Sequence, residues 1–124
     1  MEIINIKKTD DTPLVILNAE NNIMEISGRS LPEDLNKFYI PIIEWVKEYS
    51  KKPNPSTVFK FKLDYFNTAS SKNILSILMS LKELYNAGNK VLVEWFYQED
   101  DEEMLETGVE FERIIKIPFK YVKY

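Results

Sequence analysis

Apolar positions recur along this chain with two different periods, and the switches between them mark its elements. Residues Ile3 to Ile6, Leu14 to Ala19 and Ile23 to Ser27 are short apolar runs separated by the turn clusters Asp10-Asp11-Thr12-Pro13 and Glu20-Asn21-Asn22. That is the pattern of three strands in an antiparallel meander. The period then lengthens to that of a helix, with Leu35, Phe38, Tyr39, Ile42, Ile43, Val46 and Tyr49 on one stripe and Lys51-Lys52-Pro53 at its end. Ser30-Leu31-Pro32-Glu33 has the form of a capping box, which sets the expected helix start there. Pro41 falls inside the stripe and is expected to kink the helix, because it has no N–H to give the carbonyl one turn back.

Alternation returns from Thr57 to Phe66, with Phe59, Phe61, Leu63 and Tyr65 on one side and Lys60, Lys62 and Asp64 on the other. The segment Ser70 to Asn86 is the cleanest helical stripe, carrying Ile74, Ile77, Leu78, Leu81, Leu84 and Tyr85, with Gly88 as its C-terminal cap. A strand follows from Lys90 to Tyr97. The acidic residues 99 to 103 open a short helix running through Ile114, and Ile117 to Tyr124 form a closing strand or a packed tail. A strand, helix and strand in succession from Thr57 to Tyr97 require a parallel pair joined by a right-handed crossover. Together with the meander this predicts an α/β fold with a mixed sheet and helices mainly on one face, the charged positions of the strands wetting the other.

The length of 124 residues, 44% of them hydrophobic, suits one domain spanning residues 1–124. Composition mostly subtracts functions. There is no Cys and no His, which removes thiol and imidazole catalysis, disulfides and nearly every transition-metal ligand set. Any general acid or base would have to be a strongly shifted carboxylate or lysine. The expectation is therefore a protein without catalytic residues or a cofactor. Net charge of −4 and a pI near 5.0, with no basic stripe, argue against a nucleic-acid partner. No apolar run is long enough to span a membrane and the N-terminus lacks a signal-peptide core, so a soluble cytoplasmic protein is expected.

Chemistry concentrates where the second charged-and-apolar strand turns into the cleanest helix, at Leu63-Asp64-Tyr65-Phe66-Asn67-Thr68-Ala69-Ser70-Ser71-Lys72. Unpaired backbone N–H groups and the positive end of the helix dipole favour an anion there, so a phosphate on Thr68, Ser70 or Ser71 would be tolerated. Asn, Thr and Ser are also ordinary capping residues, and spacing alone favours simple capping. Asp64 is either a solvated strand-end carboxylate or a group that orients a hydroxyl or meets a kinase's metal; Lys72 balances a phosphate or projects from the first turn. The run Glu99 to Glu103 could attract Mg²⁺ or Ca²⁺, but it lacks the spaced ligands and glycine of a calcium loop. Acids at a helix start are favoured by the dipole in any case, so it reads as a solvated face with no metal site. Trp45 and Trp95 belong to the core or its margins, whereas Trp95, Phe96 or Tyr97 would be partner anchors if exposed.

The chain resembles the SiaC-type bacterial regulatory phosphoproteins, a family distantly similar in architecture to the STAS anti-sigma-factor antagonists. The resemblance runs through Gly28-Arg29-Ser30-Leu31-Pro32-Glu33, Phe38-Tyr39 with Pro41 and Trp45, Leu63 to Thr68 with Ser70-Ser71-Lys72, Trp95-Phe96-Tyr97, and the acidic stretch to Met104-Leu105-Glu106 and Gly108. It implies a STAS-like domain that acts as a partner switch. On this resemblance Thr68 is phosphorylated by a dedicated ATP-dependent kinase and dephosphorylated by a PP2C-like phosphatase. The unphosphorylated form engages an effector, a diguanylate cyclase. General STAS antagonists usually carry an Asp-Ser pair at this turn; Asn67-Thr68 fits the narrower family, and a neutral Asn avoids setting a carboxylate beside the phosphate. The competing expectations are a general anti-sigma-factor antagonist, or a small-ligand binder using the Lys60, Lys62 and Asp64 face, which would require a concave pocket there.

Overall fold

The computed structural model describes residues 1–124. The element order is β1 (Ile4–Ile6), β2 (Leu14–Asn18), β3 (Ile23–Ser30), α1 (Leu35–Tyr49), β4 (Ser56–Phe66), α2 (Thr68–Asn86), β5 (Lys90–Tyr97), α3 (Glu102–Ile115) and β6 (Phe119–Lys123). Six strands form one sheet in chain order. β1, β2 and β3 pair antiparallel, and β3, β4, β5 and β6 pair parallel, which is the mixed sheet the pattern predicts, with Ile117 to Tyr124 supplying a true strand.

Each parallel pair is joined through a helix, and successive right-handed crossovers in one direction place α1, α2 and α3 on the same side. Alternate strand residues, Val15, Leu17, Met24, Ile26, Phe59, Phe61, Val93 and Trp95 among them, are buried beneath the helices. The helices answer with Tyr39, Ile42 and Val46 from α1 and Ile74, Ile77, Leu78 and Leu81 from α2, all essentially inaccessible. The opposite face carries no helix. There Glu25, Lys60, Glu94 and Lys120 are successive register partners, so opposite charges alternate across four strands.

Trp95 anchors the last helix. Its indole nitrogen donates to the Met104 carbonyl at 2.8 Å. Gly108 lies against its ring, where an added Cβ would come within 2.5 Å of Cδ1. Trp45 is also core, stacked at 5.4 Å on Tyr49 and donating to the Glu2 carbonyl at 2.6 Å.

The structure corrects the sequence expectations at several boundaries. β3 extends to Ser30, so the Ser30 to Glu33 box does not cap α1; Asp34 does, accepting from the Lys37 amide at 3.0 Å. Pro41 lies inside α1 as the pattern places it, and is exposed, so that water can serve the carbonyl that loses its donor. Tyr65 does not continue the buried row of Phe59, Phe61 and Leu63. The β3–β4 register shifts after Gly28, pairing Arg29 with Tyr65, and this bulge leaves Tyr65 exposed with the Arg29 guanidinium 5.6 Å from its ring centre. α2 starts at Thr68 rather than Ser70, and α3 begins only at Glu102 with Asp101 as cap; Gly88 ends α2 as expected, at φ +97° just after Ala87, its amide bonded to the Tyr85 carbonyl at 3.0 Å.

Candidate functional site

β4 delivers the chain to the end of the sheet, and Asn67 turns it into α2. Asn67 is extended, at φ −84° and ψ 171°, and its side-chain oxygen accepts from the Ser70 amide at 2.8 Å. Its carbonyl accepts from the Ser71 amide at 3.0 Å. Thr68 is consequently the first residue of the helix, and its side chain is exposed. No acidic residue lies in the first turn and the cap itself is neutral, so the positive end of the α2 dipole is left without a negative side chain.

Thr68, Asn67, Ser70, Ser71 and Lys72 are gathered on this one turn, but they are not equivalent. Lys72 is exposed and Ser71 half-buried, whereas Ser70 has no accessible surface. Ser70 Oγ donates to the Ser30 carbonyl at 3.0 Å and accepts from Ser30 Oγ at 2.9 Å, and Ser30 Oγ is 2.5 Å from the Tyr39 hydroxyl. Burial pushes the Tyr39 phenol above its ordinary range, with the nearby Ser30 and Ser70 hydroxyls opposing in part. The expectation that Ser70 could carry a phosphate is therefore corrected: its hydroxyl is consumed inside the core, and a phosphate has no room there. Ser30 and Tyr39 were not legible as members of this site. Their only signal is that both lie in the blocks that carry the family resemblance, Gly28 to Glu33 and Phe38-Tyr39.

Asp64 is not brought to the threonine. It lies on the uncovered face, where its Oδ1 accepts from the Tyr124 hydroxyl at 2.8 Å. Partial burial first, and then the Asp64 bond and charge, push the Tyr124 phenol up to about 12. The Lys62 ammonium sits on the same face, 4.6 Å from the centre of the Tyr124 ring and 5.9 Å from that of Phe96. Lys60 is exposed in the charge row.

These groups line neither of the two principal cavities. One, of about 650 Å³, lies between β1 and α1 and includes Glu2, Pro41, Trp45 and Glu48 in its wall. The other is a shallow basin formed by Gln98 to Glu103. No three carboxylates of that acidic run converge as a ligand set. Instead Asp101 caps α3 through the Met104 amide at 3.0 Å, and Glu102 and Glu103 lie in its first turn, where the dipole favours them. Trp95 is buried, and Phe96 and Tyr97 are half-buried, so none of the three is a free-standing anchor.

Comparison with known proteins places these features in context. Residues 6–124 match the family described as SiaC family regulatory phosphoprotein. An uncharacterized protein of Pseudomonas aeruginosa strain UCBPP-PA14 is 27% identical over 119 residues, covering 96% of this chain and 94% of that one. The crystal structure of apo-SiaC from P. aeruginosa is 26% identical and superposes with a TM-score of 0.89 over 98% of this chain and 99% of that chain. SiaC in the crystal structure of the diguanylate cyclase SiaD in complex with its activator SiaC, from the same organism, is 26% identical. It gives a TM-score of 0.92, again over 98% of this chain and 99% of that one.

Proposed function

The chain belongs to the SiaC family of regulatory phosphoproteins, and from that premise we propose that it is a non-enzymatic phospho-switch with Thr68 as its acceptor. The observation that carries this reading is the Thr68 side chain: an exposed hydroxyl on the first residue of a helix whose positive end has no acid of its own. A dedicated ATP-dependent kinase adds the phosphate and a PP2C-like phosphatase removes it. The unphosphorylated form binds and activates a diguanylate cyclase, a partner supported by the SiaC–SiaD complex. The setting that suits such a circuit is the cytoplasm, and no helix of the chain is long and apolar enough to cross a membrane.

The mechanism is electrostatic and local. A phosphothreonine carries roughly −1.5 to −2 charges at neutral pH. At the head of α2 the helix dipole accommodates that charge, so the fold is retained while the surface presented to the cyclase changes sign. Lys72, one turn further along, offers the nearest basic side chain on the same helix. Asp64 stays a strand-end carboxylate on the uncovered face, bonded to Tyr124.

The test is phosphoryl transfer from the kinase encoded nearest this gene, with ATP and either wild-type protein or Thr68→Ala, read by intact mass and peptide mapping. The expected result is a single phosphate on wild-type protein and none on Thr68→Ala. Each form is then titrated against the cyclase, with cyclic di-GMP synthesis as readout; phosphorylation should abolish activation and Thr68→Ala should retain it. Equal activation by phosphorylated and unphosphorylated protein would overturn the reading.

A further inference from the structure

The acceptor turn is held by a chain of buried hydroxyls whose direction can be deduced. Ser30 Oγ gives its one proton to Ser70 Oγ, and Ser70 Oγ gives its own to the Ser30 carbonyl. The remaining bond must then run from the Tyr39 hydroxyl to Ser30 Oγ. The sequence is Tyr39 O–H to Ser30 Oγ, Ser30 O–H to Ser70 Oγ, Ser70 O–H to Ser30 C=O. All three residues are 0% exposed, and no buried side-chain polar atom in the molecule lacks a partner. The Ser30 carbonyl also accepts from the Asn67 amide at 3.3 Å. Asn67 and Ser70 flank Thr68, so the end of β3 grips the first turn of α2 on both sides of the exposed threonine, while α1 secures the grip through Tyr39.

Resting on the assignment of Thr68 as acceptor, we propose that Tyr39 and Ser30 are positioning residues for phosphorylation: their hydroxyl chain fixes the first turn of α2 so that Thr68 is presented. A merely structural contact would change stability alone. A positioning device changes the rate of transfer.

The chain is directional, so its members should fail unequally. Tyr39→Phe removes the terminal donor and leaves every other donor satisfied. Ser30→Ala removes the central hydroxyl and strands the Tyr39 proton in the core, which is the more costly loss. The kinase assay is run on wild-type protein, Thr68→Ala, Tyr39→Phe and Ser30→Ala, at a temperature where melting curves show each folded. Wild type labelled and Thr68→Ala unlabelled establish the acceptor independently of this proposal. Given that result, the expected outcome is a fall in kcat/KM for Thr68 of about fivefold in Tyr39→Phe and more in Ser30→Ala. Amide exchange at Ser70 and Ser71 is expected to be faster than in the wild-type protein in both variants, and more so in Ser30→Ala. Wild-type kcat/KM in both variants would overturn the proposal, even if both variants melted earlier. Should Ser30→Ala fail to fold, Tyr39→Phe decides alone, by its kcat/KM and its exchange at Ser70 and Ser71.

Discussion

Two helix heads in this molecule are built on the same hydrogen bond and differ in charge. In α2 the Asn67 side-chain oxygen accepts from Ser70 N, and in α3 the Asp101 carboxylate accepts from Met104 N. Both satisfy one of the orphan amides of a first turn. Around Asp101, however, Glu102 and Glu103 supply further negative charge, whereas Asn67 is neutral and is followed by Thr68, Ala69 and Ser70. The α3 head is electrostatically complete as synthesised. The α2 head is complete only geometrically, and can receive an anion afterwards. The difference shows that the same capping bond can head a helix with or without its favourable charge, and the proposed acceptor Thr68 lies at the head that lacks it.

The comparison can be broken most decisively at Thr68. Thr68→Ala should remove all kinase-dependent mass gain while leaving the melting temperature within a few degrees of wild type, since the side chain is exposed. The next largest effect belongs to the α3 side. Gly108→Ala places a Cβ 2.5 Å from Trp95 Cδ1, and the buried indole cannot retreat. Overpacking of about 1–3 kcal/mol should outweigh the roughly 1 kcal/mol that Ala gains over Gly in a helix, lowering the denaturant midpoint without affecting labelling at Thr68 beyond any loss of folded protein.

Giving α2 the charge of α3 sharpens the contrast. Asn67→Asp with Ala69→Glu should stabilise the unphosphorylated protein slightly and destabilise the phosphorylated form relative to it by about 1 kcal/mol, a gap that narrows with added salt. Paired denaturation curves at two ionic strengths measure it. The smallest effect is on titration. The Tyr124 phenol, raised to about 12, favours its protonated form in the fold. Its bond to Asp64 therefore contributes fully below the ordinary tyrosine range near 10 and is lost as pH climbs from there through about 12. Tyr124→Phe should delete one late-ionising phenol from an ultraviolet titration and leave the other six tyrosines in place.

Elements governed by one local period were legible in the chain: the alternation of Thr57 to Leu63 and the Ile74-to-Leu84 stripe both appear where the pattern puts them. Ser30 was misread because Ser-x-x-Glu describes a capping box and is equally compatible with a strand that ends in a buried serine; only the tertiary partner distinguishes them. Tyr65 was misplaced because a one-residue bulge reverses the face of everything beyond it. At the site, Asn67 and Thr68 could be read from adjacent residues and the family block. The burial of Ser70 could not, because Ser30 lies 40 residues earlier in the chain.

The strand order carries one more consequence. Because the sheet is laid down in chain order, β1 through β6, every strand after the first adds to a neighbour that has already left the ribosome. All groups that grip the acceptor turn, from Ser30 to Ser70, precede β5. The corner that carries Thr68 can thus take its shape during synthesis, before β5, α3 and β6 close against it through the contact of Trp95 with Phe66.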